Sequence, residues 1–144
     1  MIEVAREGEH PMKRLDYSEL EYNEDGLYYH DRVPLAGVAF TVDRNEEVAS
    51  EADFRDGLEW GVSRRWFHPG RPALVRETSR GVLHGQAKEW HPNGQLASEE
   101  QHELGICPRR RRWNKSGELV EDFTIRESDA DYQTLQILRE ADRE

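Results

Sequence analysis

The chain lacks most of the chemistry that would announce a function. Cys107 is the only cysteine in 144 residues, which excludes an intramolecular disulfide and a zinc site built from cysteines. A reducing, cytoplasmic setting fits that usage. No apolar run approaches the roughly 18 residues of a membrane span. The opening MIEVAREGEHPMKRL is charged throughout, unlike a signal peptide or an anchor. There is no serine-centred nucleophile elbow, phosphate loop or dinucleotide fingerprint. Apolar residues are also scarce: 35% of the chain is hydrophobic and 35% is charged, too few for a thick core and suited to a flat or elongated shape. Aromatic residues still make up 9%, so disorder throughout is excluded.

Charge is abundant but unevenly placed. The net charge is −10, concentrated in two acidic flanks, residues 1–26 and 118–144, around a nearly neutral body. That distribution argues against nucleic acid as a partner. It suits a basic protein partner, and equally it serves solubility.

What is plentiful is glycine at a fixed interval. Gly37, Gly61 and Gly85 recur every 24 residues, as do Gly57, Gly81 and Gly105. Gly70 and Gly94 follow the same spacing, with Gly117 one residue short, and Trp66, Trp90 and Trp113 keep it too. The segments GLEWGVSRRWFHPG, GVLHGQAKEWHPNG and GICPRRRRWNKSG are copies of one unit. A worn copy begins near Val33. Two turn signals per unit, one of them Asn93-Gly94 with both central residues expected at positive φ, make each unit a β-hairpin. A lone hairpin is marginal in water, so the units must stack. The reading is all-β: an elongated antiparallel meander of about four hairpins. The three tryptophans are expected to stack into a buried column.

The pattern G-x-x-x-G, four residues, Trp, a turn glycine, an apolar residue and an acid resembles the MORN repeat in its bacterial variant form. The arrangement over residues 25–124, opening with DGLYYHDRVPLAGVAFTV, is similar to the YwqK family of antitoxins. The sequence departs from that pattern at Pro72 inside a strand, at Arg109 in place of the second glycine, and near Glu46, where a turn glycine is missing. The resemblance implies an antitoxin or immunity protein that sterically blocks a cognate bacterial toxin encoded nearby. The wider MORN class implies the alternative, a scaffold or anionic-lipid-associated module.

The ends read as caps. Residues 1–24 are expected to pack along the first hairpin, with MIEV as a short strand. Residues 125–144 predict a helix over about 129–142 capped by Ser128. Its stripe of Ala130, Tyr132, Leu135, Ile137, Leu138 and Ala141 lies on the last hairpin or meets a partner.

The remaining candidates are weighed by pattern. Arg109, Arg110, Arg111 and Arg112 beside Trp113 suit phosphates, anionic headgroups or an acidic partner. Alternatively, nearby acids from Glu118 to Asp131 neutralise them. Trp60, placed in a turn outside the register, and Phe67 are the exposed contact candidates. His68, His84, His91 and His102 have no matching ligand spacing and read as structural. Glu51, Glu77 and Glu99 read as cross-strand partners of Arg64, Arg65 and Lys88. No catalytic residue, cofactor or metal site is expected, the chain is read as non-enzymatic, and its oligomeric state stays open.

Overall fold

The computed structural model describes residues 13–143; the expected MIEV strand lies outside them. A short strand β1 (Lys13–Asp16) leads through a 3-10 turn (Tyr17–Glu19) into three small strands, β2 (Glu21–Tyr22), β3 (Tyr28–His30) and β4 (Val33–Pro34). The long strands then follow: β5 (Gly37–Val42), β6 (Val48–Arg55), β7 (Leu58–His68), β8 (Arg71–Ser79), β9 (Val82–Trp90), β10 (Leu96–Glu103), β11 (Ile106–Trp113) and β12 (Leu119–Thr124). The helix α1 (Ala130–Asp142) closes the chain. Strands β5 to β12 form an antiparallel meander of four hairpins in chain order, and β1 adds in parallel to β5, giving nine strands. Among the described residues, no helix is long and apolar enough to cross a membrane.

Two kinds of turn alternate, and the glycines explain both. At one end of the sheet the pairs Asp56-Gly57, Arg80-Gly81 and Leu104-Gly105 all have positive φ, the geometry that matches the twist of a two-residue hairpin. Each of these glycines also ties its unit to the preceding one. The Gly57, Gly81 and Gly105 N–H groups donate to the carbonyls of Leu35, Glu59 and Leu83 at 2.8–2.9 Å.

The other turns depart from expectation. Of Asn93 and Gly94 only the glycine has positive φ, +90°. The Gly94 N–H donates to the His91 carbonyl, and the Asn93 side chain accepts from the Gln95 N–H. Asn93 therefore acts through its side chain, as a backbone mimic. Glu46 holds the same left-handed position in the first hairpin, at φ +62°. The missing glycine thus left the turn intact but strained.

The second glycine of each unit makes room. A Cβ on Gly37 would lie 2.3 Å from the Lys13 carbonyl oxygen, so its absence lets β1 cover the sheet edge. A Cβ on Gly61 would lie 2.6 Å from Asp53 Oδ2, and one on Gly85 would lie 2.4 Å from Glu77 Oε2. Asp53, Glu77 and Gln101 are equivalent positions, 24 residues apart. The third unit has lost the acid at Gln101 together with the glycine at Arg109, and there the strand is one residue shorter.

The core lies at the N-terminal end. Leu35, Ala39, Ala52 and Phe54 are buried, with Leu15, Tyr17, Leu20 and Tyr28 packed on them. Tyr17, Tyr28 and Phe54 meet edge-on, with ring centroids 5.3–6.0 Å apart. Truncating Phe54 to Ala would cost about 3–5 kcal/mol. The expected tryptophan column is corrected here. Trp66, Trp90 and Trp113 stand on alternate strands, so an intervening strand holds them roughly 10 Å apart. Each pairs in register with an aliphatic residue, Pro72, Leu96 or Leu119, and is only half-buried. Among the described residues, the ring–ring contacts involve tyrosines and Phe54, not these indoles.

The N-cap residue of α1 is Asp129, not Ser128, and its side chain makes no capping hydrogen bond. The Asp129 carboxylate accepts from the Arg126 N–H. Leu135 is fully buried, while Ile137, expected inward, is 69% exposed. Two charged contacts lay α1 across the turn end of the sheet. Arg139 makes a two-pronged pair with Glu103 at 2.6 and 2.7 Å, and Arg80 meets Asp142 at 3.5 Å.

Candidate functional site

The sheet is a single layer over most of its width. Among the described residues, the 3-10 turn packs on β5 and α1 packs on β11, and the strands between them pack mainly on their sheet neighbours. Alternation and register sort the side chains of these central strands onto two faces.

One face carries the register-linked row Ala39, Ala52, Ser63, Arg76, Ala87, Glu100, Arg110 and Phe123. Its alanines and Ser63 are buried between longer neighbours, so the floor is low. Next to the tyrosine cap it sinks into an open depression of about 300 Å³ bordered by Tyr17, Glu59, Ser63, Arg65, Leu74 and Arg76. Burial, and then the Glu59 carboxylate, push the Tyr17 phenol up to about 12. The Nε of Arg76 is buried without a hydrogen-bond partner.

The opposite face carries Glu51, Arg64, Val75, Lys88, Glu99, Arg111 and Asp122 in one row. Its charges alternate in sign except at Val75. Glu51 and Glu99 therefore face Arg64 and Lys88 as expected, and Glu51 adds an ion pair to Arg14 at 2.7 Å. Glu77 instead pairs in register with Val62, and Arg65 lies between Ser50 and Leu74.

The arginine run forms β11, and all four members are paired. Arg109 bonds Asp122, Arg110 bonds Glu121 at 2.6 Å, and Arg111 meets Glu99 at 3.2 Å. Arg112 sits 3.6 Å from both Glu100 and Glu121. The pull of Arg110 holds the Glu121 carboxyl below its ordinary range. Strand alternation sends two arginines to each face, and acids on β10 and β12 meet both sets.

Trp60 is not in a turn. It lies within β7, half-buried, with the Arg55 and Arg80 guanidinium carbons 4.6 and 5.8 Å from its ring centroid. Phe67 is 43% exposed at the free turn end, and its neighbour Trp66 borders a shallow depression with Val48, Glu51, Pro69 and Gly70.

The histidines divide. His84 Nδ1 accepts from the Leu104 N–H, and His91 Nε2 bonds the Trp113 carbonyl at 2.8 Å, linking neighbouring units. His102 differs. Its Nε2 lies 2.8 Å from Glu100 Oε2, its side chain is 8% exposed, and its Nδ1 is buried without a partner. Glu100, His102 and Cys107 bring an oxygen, a nitrogen and a sulfur within 4.8 Å of one another. The sequence reading missed this trio. The signal was present: Glu100 and His102 alternate onto one face of β10, and a two-residue turn returns the chain to Cys107. Burial, then Glu100, push the Cys107 thiol up.

Compared with protein-family models, curated proteins and solved structures, the chain matches none of them.

Proposed function

We propose that this chain is a protein-binding module, an antitoxin or immunity protein that blocks a cognate bacterial toxin by covering it. The observation that carries the binding role is the single-layer sheet. Strands β7 to β10 offer broad faces, and β6 to β8 border open depressions of about 270–300 Å³. A sheet normally buries one face against a second layer, and a protein partner would supply that layer. The antitoxin element rests on the resemblance of the 24-residue pattern alone.

The docking face is the one with the low floor, between the tyrosine cap and α1. Arg65, Leu74 and Arg76 line it beside Tyr17. Arginine and aromatic side chains of this kind anchor protein interfaces. The acidic flanks then steer a basic partner toward it. The arginine run is not the contact surface, because every guanidinium in it already faces a carboxylate.

The test is co-expression with the product of the adjacent gene. Rescue of growth and co-purification are expected, with Leu74→Arg abolishing both while the far-ultraviolet circular dichroism stays unchanged. Absence of rescue and of a complex with the unaltered chain would remove the toxin claim. Rescue undiminished by Leu74→Arg would move the interface elsewhere.

A further inference from the structure

We propose that Glu100, His102 and Cys107 form a binding site for one borderline-soft divalent cation, Zn²⁺ being the natural occupant. The donor set is mixed oxygen, nitrogen and sulfur, the combination that favours zinc over the hard alkaline-earth ions. The three donor atoms already lie within 4.8 Å of one another. Zinc bond lengths place such donors roughly 3.5 Å apart, so small side-chain rotations close the site.

Burial holds the imidazole in place. His102 is more than nine-tenths buried, yet Nδ1 has no hydrogen-bond partner. Only one ring nitrogen can ligate a single ion, and Nε2, 2.8 Å from Glu100 Oε2, is the one that borders the trio; Nδ1 lies on the far side of the ring. Glu100 meets His102 through Oε2, and its Oε1 faces Arg112 at 3.6 Å, beyond hydrogen-bond length. The carboxylate therefore keeps lone pairs for a metal. Arg110, the other nearby cation, is drawn to Glu121 at 2.6 Å. The Cys107 Sγ makes a long bond, 3.3 Å, to the Arg109 carbonyl and also faces the Arg110 guanidinium, which the ion would displace from the thiol. Binding would displace the thiol proton to solvent as the thiolate ligates.

Three protein ligands leave a fourth position for water or for a donor from another molecule. The site joins β10 to β11 beside the turn that α1 crosses, so the ion would clamp the last hairpins of the array. This inference does not depend on the identity of any protein partner.

Chelator-treated full-length protein is titrated with Zn²⁺ by calorimetry and with Co²⁺ by absorption. One ion per chain is expected, bound in the micromolar range or tighter. Co²⁺ should give a thiolate-to-metal band in the near ultraviolet and tetrahedral bands in the visible. Cys107→Ser should abolish the thiolate band, and both Cys107→Ser and His102→Gln should weaken binding by more than about 100-fold, beyond the loss typical of outer-shell partners. His91→Asn should change neither. Should the variants fail to fold, alkylation of Cys107 in the unaltered protein gives a second reading, and Zn²⁺ is expected to slow it at least about tenfold. Several weak sites, a cobalt spectrum without a thiolate band, or alkylation indifferent to Zn²⁺ would each overturn the proposal.

Discussion

Replacing Gly61 by Ala tests why the repeat carries its second glycine. The new methyl would lie 2.6 Å from Asp53 Oδ2 and 2.8 Å from Asp53 Cβ. The carboxylate is not free to swing, because Oδ2 accepts from the Val62 N–H at 2.9 Å. The backbone adds strain, since φ is +131° and side chains avoid that region. Conformational strain of about 1–2 kcal/mol and overpacking of about 1–3 kcal/mol together predict a loss of about 2–5 kcal/mol. Urea unfolding followed by tryptophan fluorescence measures it. Asp53→Ala alone forfeits the charged hydrogen bond, about 1.5–3 kcal/mol. In the double variant the contact with Oδ2 is gone while the 2.8 Å approach to the Cβ at position 53 remains, so Gly61→Ala should then cost its conformational part and only the rest of the overpacking. The cycle therefore predicts a coupling of about 1–2 kcal/mol, the share of the overpacking that the carboxylate carries. Additivity within about 0.5 kcal/mol would refute the idea that the acid requires the glycine. Gly85 and Glu77 form an internal control. The contact there is 2.4 Å, but it falls on the end of a longer side chain, and among the described residues no hydrogen bond holds that carboxylate. Its coupling should be smaller.

Three further outcomes follow from the same geometry. Glu46→Gly should raise stability by about 0.5–1 kcal/mol, because relief of the left-handed strain exceeds the added freedom of the unfolded chain; the urea midpoint reads it, and an unchanged or lower midpoint would count against the turn assignment. Tyr17 should titrate late in an alkaline absorbance titration. Its folded value of about 12 exceeds the ordinary 10.0, so its contribution to stability is full below pH 10 and is lost as pH rises toward 12, a sensitivity that Tyr17→Phe should remove. Finally, the Arg139 hydrogen bonds hold the Glu103 carboxyl below its ordinary 4.5. The attachment of α1 is therefore complete above that value and weakens as pH falls through the lowered one. Glu103→Gln should make proteolysis at α1 faster at neutral pH and nearly insensitive to acid, whereas equal protection in both proteins would show that Leu135 alone seats the helix.

The repeat was legible because its cause is local. A two-residue hairpin turn needs positive φ at fixed positions, so Gly57, Gly81 and Gly105 mark it in the sequence whatever surrounds them. The C-terminal helix was legible from its periodicity, except that Ala130, Ile137 and Ala141 of the expected stripe are exposed, since the sheet end covers only the narrower strip containing Leu135. The pairing of β11 arginines with flanking acids could also be anticipated, since strands adjacent in sequence are adjacent in space. The tryptophans show the limit of that logic. Equal spacing places them at equivalent points of successive units, but each unit is two strands wide, so equivalence is not contact.

The sequence by itself determined the four-hairpin meander, its turn glycines and its C-terminal helix, because backbone geometry and strand alternation act over a few residues. Only the tertiary structure decided where the core lies, which acid each second glycine shelters, and that His102, Glu100 and Cys107 converge. Those outcomes depend on register between strands and on bulges that shift it. A one-residue shift turns a side chain to the other face, and no local pattern fixes that choice.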